Sequence, residues 1–165
     1  MTDASSQPPP RETQAPTETQ APSESPTPNA LDDDGRKHGP WQEHFSSGRV
    51  SAEGEYEHGV QQGVWRVWYR NGQLKAVGVR VDGELDGFWR WWREGGGPLQ
   101  EGTFVRNVQV GPWRRWFATG ALIDEGEYVD GRKVGVWRSY HPDGSLKQEK
   151  GHGPAPDAAA QTSDT

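Results

Sequence analysis

The tripeptide Gly–X–Trp recurs at Gly39, Gly63, Gly87, Gly111 and Gly135, each 24 residues after the last. A fixed period of this length marks a repeat array, in which each unit is one supersecondary element that buries its apolar side against its neighbours. The folding problem is therefore one unit solved once and copied. Gly111–Val134 is the clearest copy. Upstream, Asp34–Gly39 restates Asp130–Gly135, so the array opens on a half unit near Asp32. The fifth unit decays after Leu146, and the Gly of its sixteenth position becomes Lys150. Positions below are counted from the Gly that opens each unit.

Two turn signals per unit predict two strands of seven to nine residues, and hence a hairpin. Asn71-Gly72, with Ser47-Gly48, Gly95-Gly96, Thr119-Gly120 and Asp143-Gly144 in the same place, reads as a two-residue turn at positions nine and ten. Asp82-Gly83 and Asp130-Gly131, replaced by His58-Gly59 and Arg106-Asn107 elsewhere, supply the second turn. The expected fold class is all-β: an elongated antiparallel meander of stacked hairpins with disordered tails.

A two-residue turn fixes the register on paper. Position four then faces fifteen, pairing Arg90 with Glu101, Arg114 with Glu125 and Arg138 with Glu149, while Gln42 meets Glu53 and Arg66 meets Val77. Position three faces sixteen, which predicts that Trp65 covers Gly78 and that Trp113 covers Gly126. Position seven faces twelve, giving Phe45 with Val50, Tyr69 with Leu74, Phe117 with Leu122 and His141 with Leu146. Arg93 with Pro98 breaks that series, so the third unit is expected to be distorted. Alternation along a strand should gather positions three, seven, twelve and sixteen on one face and positions four, six and fifteen on the other.

Composition limits what surrounds the array. Apolar residues make up 30% of the chain, with 22 Gly and 13 Pro among 165 residues, yet all 9 Trp, 4 Tyr and 4 Phe lie between Trp41 and Tyr140. Residues 1–31, rich in Pro, Thr, Glu, Ser, Gln and Ala, are expected to be a disordered tail, as are 154–165, leaving 32–153 as the repeat domain. The chain has no cysteine, which removes disulfides and thiolate metal sites. The first residues show no secretory pattern and no window has the apolar length of a membrane span, so a cytoplasmic setting is expected. Residues 35–153 carry 17 basic against 15 acidic groups, a near-neutral balance that argues against nucleic acid as partner.

Glu125-Gly126-Glu127-Tyr128-Val129-Asp130-Gly131-Arg132-Lys133-Val134-Gly135 resembles the membrane occupation and recognition nexus (MORN) repeat, with its E-G-x-aromatic-x-x-G-K-x-x-G core. The Trp two residues beyond the last Gly is similar to the variant form common in bacteria, the antitoxin-like group among them. The resemblance implies hairpins stacked into a grooved sheet. It also implies a scaffold that binds or dimerises proteins, an antitoxin-like role in some bacterial members, and no catalytic residue. Asn107 for Gly, Arg80 for an aromatic, and Lys150 for Gly depart from the pattern and are expected to weaken their units.

No chemistry-bearing constellation emerges beyond this. His38, His44, His58, His141 and His152 occupy unrelated unit positions, so no shared metal geometry is expected. Gly95-Gly96-Gly97 lacks the Lys and helix of a phosphate loop. The chain is read as a non-enzyme with no cofactor. The candidate binding residues are the aromatic column Trp68, Trp92, Trp116 and Tyr140 beside the Arg column Arg66, Arg90, Arg114 and Arg138, serving either as packing and cation–π contacts or as an exposed stripe. A protein partner is the first expectation, with a homodimer as one form of it. Glycan stacking on the aromatic columns and association with a membrane surface are the alternatives.

Overall fold

The computed structural model describes residues 27–154; the tail expectations for 1–26 and 155–165 fall outside it. Ten strands run in chain order: β1 Gly39–His44, β2 Val50–Glu57, β3 Val60–Trp68, β4 Leu74–Val81, β5 Glu84–Trp92, β6 Pro98–Val105, β7 Val108–Trp116, β8 Leu122–Val129, β9 Arg132–Tyr140 and β10 Leu146–Gly151. Each pairs antiparallel with the next, making one open sheet in the order β1 to β10. Among the described residues there is no helix, and no second layer covers either face. Ordered pairing starts ahead of the expected half unit, with a bridge between Leu31 and Lys37 and an Asn29 N–H bonded to the Pro40 carbonyl at 2.9 Å.

The hairpin turn inside each unit differs from the expected two-residue form. In the second unit the Tyr69 N–H donates to the Gln73 carbonyl at 2.8 Å and the Gly72 N–H to the Tyr69 carbonyl at 2.9 Å, with Gly72 at φ 89°. That is a three-residue loop closed by a left-handed Gly. Position seven therefore ends the hairpin instead of pairing with twelve. Position twelve pairs with six: His44 with Val50, Trp68 with Leu74, Trp116 with Leu122 and Tyr140 with Leu146. The strand after the turn then carries a bulge, at Ser51 in the first unit and Lys75 in the second, which shifts the ladder by one residue.

These two departures cancel. Beyond the bulge the predicted pairs appear: Arg90 with Glu101, Trp89 with Gly102, Arg114 with Glu125, Trp113 with Gly126. The third unit is not distorted either. Its turn repeats the same bonds, Arg93 N–H to the Gly97 carbonyl and Gly96 N–H to the Arg93 carbonyl, each 2.8 Å, and Trp92 pairs with Pro98. Pro98 fits because position twelve follows the loop, where a missing N–H costs little.

The turns joining units are two-residue turns as expected, with both residues left-handed, for example Asp82 at φ 51° and Gly83 at φ 80°. Asn107 stands for Gly at φ 66°, and its side-chain oxygen accepts the Leu85 N–H at 2.7 Å. Asn tolerates this region, which explains the substitution.

The core is a line of indoles on one face. Trp65, Trp89, Trp113 and Trp137 are 3%, 3%, 4% and 6% exposed. Each covers a bare glycine, but in the unit before its own: Trp65 lies on Gly54, Trp89 on Gly78, Trp113 on Gly102 and Trp137 on Gly126. The expectation that Trp65 covers Gly78 and Trp113 covers Gly126 is thus corrected. The pairs face each other in the ladder, yet the ring leans the other way. The cause is the Gly opening each unit, left-handed at φ 60–77° from Gly39 to Gly135, where the ladder between units bulges. Such a bulge re-aims the next side chains, and here it tips the Trp across the junction.

Three of these indole N–H groups donate to position-seventeen carbonyls of the preceding unit: Trp89 to Val79 at 2.8 Å, Trp113 to Thr103 at 3.3 Å and Trp137 to Glu127 at 3.0 Å. Rings at position eighteen fill the gaps edge-on, with Tyr56 against Trp65, Phe104 against Trp113 and Tyr128 against Trp137 at centroid distances of 5.3, 5.1 and 5.1 Å. Where Arg80 replaces the aromatic, its guanidinium lies over Trp89 at 5.6 Å, a cation–π contact in place of the edge contact.

Candidate functional site

Side chains at positions two, four and six of one strand point to the face opposite the indole line, because alternation is unbroken between the unit Gly and the turn. This makes four rungs: Val64-Arg66-Trp68, Phe88-Arg90-Trp92, Pro112-Arg114-Trp116 and Val136-Arg138-Tyr140. The sequence expectation placed position twelve with the Trp line. Its pairing with position six instead carries Val50, Leu74, Pro98, Leu122 and Leu146 to the rung face, and position five, with Val67 and Trp91, joins the Trp line. There Trp91 stacks between Trp89 and Trp113 at centroid distances of 5.6 and 6.4 Å.

On the rung face the Arg column is threaded by acids. Arg90 and Arg114 share Glu101 at 2.8 and 3.8 Å, Arg114 also meets Glu125 at 3.3 Å, and Arg138 meets Glu149 at 2.7 Å. Arg66, which faces Val77 within its own hairpin, meets Glu53, its ladder partner in the preceding unit, at 3.5 Å. The bond to Glu149 raises the Arg138 pKa above its usual value. The Tyr140 hydroxyl donates to Glu125 at 2.9 Å, and this bond raises the Tyr140 pKa, since a carboxylate beside the phenol disfavours phenolate. Of the expected cation–π pairs between the columns, Arg90 over Trp92 at 5.8 Å is formed.

The candidate aromatics Trp68, Trp92, Trp116 and Tyr140 are half-buried, whereas apolar residues at position two, which the sequence reading passed over, stand exposed on this face. Val64, Phe88 and Val136 are 46%, 55% and 50% exposed. The signal was present in the X of Gly–X–Trp, which is apolar in every unit and never needed by the hairpin. Between rungs lie open grooves, one of about 460 Å³ walled by Pro40, Gln42, Glu55, Val64 and Arg66, and a counterpart of about 440 Å³ walled by Pro112, Arg114, Glu127, Val136 and Arg138. Their floors include the backbone of Gly54 and Gly126, whose other side is covered by Trp65 and Trp137. Pro28, from the segment ahead of β1, sits at the wall of the first.

Among the described residues, the Trp face buries one charged side chain. Asp124, 8% exposed, pairs with Arg115 through two hydrogen bonds, one of them 2.8 Å, and this raises the Arg115 pKa. Burial pushes the nearby Tyr128 phenol up as well.

At the start of the sheet, Asp32, His38 and His58 come together, contrary to the expectation that the histidines share no geometry. His58 Nδ1 lies 2.7 Å from Asp32 Oδ2, and the two imidazole centroids are 4.9 Å apart. The hydrogen bond from His58, with Arg36 adding to it, holds the Asp32 carboxyl well below the usual carboxylate range.

A family model described as MORN repeat variant matches residues 61–79 and again residues 133–150. These two stretches cover most of β3 with β4, and most of β9 with β10. No curated protein matches the chain at a significant level. No helix among the described residues is long and apolar enough to cross a membrane.

Proposed function

Because the chain carries repeats of the MORN variant family, we propose that it is a non-catalytic scaffold whose rung face binds a protein partner. The carrying observation is the division of labour between the two faces. The Trp line holds successive hairpins together, while Val64, Phe88 and Val136 stand exposed beside a column of arginines without any part in the hairpins. Apolar anchors flanked by guanidinium groups are the composition of protein interfaces. Glycan stacking needs open ring faces, whereas Trp65, Trp89, Trp113 and Trp137 are covered by their neighbours and Trp68, Trp92 and Trp116 are half-buried.

The partner class follows from charge. The rung arginines are already paired with acids, so the face suits a protein surface of mixed charge with apolar side chains for the position-two column. An antitoxin-like neutraliser and a cytoplasmic setting, both expectations of the sequence reading, belong to the same proposal. Affinity capture with the full chain from the native cell extract, read by mass spectrometry, tests it. A protein retained at constant ratio after washing is expected; an empty capture together with a monomeric chain would overturn it.

A further inference from the structure

Asp32, His38 and His58 each differ from the residues that the next units carry in the same columns. Asp32 stands where later units put Tyr56, Arg80, Phe104 and Tyr128, and His38 where they put Gln62, Asp86, Val110 and Val134. His58 stands where they put Asp82, Arg106 and Asp130. The hairpin needs none of these three substitutions, since the later units fold with the other residues. Yet the three converge: their donor atoms all lie within 4.8 Å of one another.

Local structure holds the group in place. Asp32 Oδ1 accepts the backbone N–H groups of Asp34 and Arg36 at 3.1 and 2.8 Å, which fixes the carboxylate and turns Oδ2 toward His58. His58 sits in the turn between β2 and β3 at φ 47°, a left-handed conformation that Asp82 and Asp130 also adopt. The His58 N–H points to His38 Nδ1 at 3.4 Å. The Asp32 side chain is 10% exposed and that of His58 55%, so the carboxylate is sheltered while the approach stays open.

Two imidazoles and one carboxylate are a donor set that zinc and its neighbours in the transition series bind well. Arg36 now touches the same atoms, with Nε 3.0 Å from Asp32 Oδ2 and Nη2 3.2 Å from His58 Nδ1. It has another acid at hand, Asp34 at 2.7 Å, so its guanidinium can pass to Asp34 and leave Oδ2 to an entering cation. We propose that Asp32, His38 and His58 form a binding site for a divalent transition-metal ion of the zinc type. The ion would fasten the segment ahead of β1 to the turn between β2 and β3. Three protein donors leave a coordination position for water or a further ligand.

The test is calorimetric titration of the tag-free full chain with zinc chloride, and separately with nickel chloride, beside His38→Gln, His58→Asn and Asp32→Asn. Gln is the residue the next unit carries at the position of His38, and Asn tolerates the left-handed turn at His58. The amide introduced by Asp32→Asn keeps the Oδ1 acceptor, so each variant retains the fold. The parent is expected to take one equivalent of at least one of the two metals, with binding at least about tenfold weaker in each variant. His44→Gln, outside the cluster, is expected to bind as the parent does. A parent that takes up neither metal, or His38→Gln and His58→Asn chains that bind as tightly as the parent, overturns the site.

Discussion

The indole of Trp137 lies on the bare backbone of Gly126, which belongs to the unit before its own, while Trp113, directly across the ladder from Gly126, covers Gly102 instead. A Cβ at Gly126 would lie only 2.3 Å from the Trp137 ring. Gly126→Ala is therefore expected to cost about 1–3 kcal/mol through overpacking, with the indole N–H resonance of Trp137 shifting and that of Trp113 staying in place. Lys150→Ala, at the same unit position but with no Trp after it, is expected to stay within about 0.5 kcal/mol of the parent in thermal melts.

Phe88 and Trp89 are neighbours in sequence that point to opposite faces. Trp89 is 3% exposed and Phe88 is 55% exposed. Trp89→Ala is expected to cost about 3–5 kcal/mol, the range for removing a large aromatic from a packed site. Phe88→Ser should change stability by less than about 0.5 kcal/mol. Denaturant midpoints of the two variants measure the contrast directly.

The Asp124–Arg115 pair is asymmetric, since the carboxylate is buried and the guanidinium is half exposed. Removing Arg115 strands a buried charge, whereas removing Asp124 releases Arg115 to water. Arg115→Ala is thus expected to destabilise the chain more than Asp124→Ala, by at least about 1 kcal/mol. The double variant should return to the stability of Asp124→Ala, because the stranded charge is gone. Urea unfolding of the three chains decides it.

Alkaline pH probes Tyr140. Its pKa is raised in the folded state by the bond to Glu125, so the contribution is full below the unfolded phenol pKa of about 10 and declines as pH rises past it. Melting temperature should fall as pH rises past about 10, and fall less steeply in Tyr140→Phe. Equal slopes would show that the bond to Glu125 has no part in stability.

The 24-residue period made the architecture readable, because any residue repeated five times in register has a structural task. The Arg–Glu and Trp–Gly ladder pairs followed from that period and a turn. The turn itself was misread, since Asn71-Gly72 suits both a two-residue and a three-residue loop, and only the bulge after it tells them apart. The two errors compensated, which kept the central pairs right and put Leu74 and Leu122 on the wrong face. The direction in which an indole leans is set by a bulge at the unit Gly and leaves no trace in the spacing. The meeting of His38 with His58 was hidden because they sit 20 residues apart, off the repeat period, and are joined by the pairing of β1 with β2, continued by the Gly59 N–H to the Lys37 carbonyl at 2.8 Å.

In the proposed scaffold the Trp line builds the sheet and the rung face binds the partner. Capture from the native extract by the Phe88→Ser/Val64→Ser chain, with the parent in parallel, tests this most directly. Both substitutions lie on the rung face and leave the Trp line untouched. The variant is expected to melt close to the parent and to lose the protein the parent retains. A variant that folds normally and still captures the same protein in the same amount would contradict the assignment of the binding face.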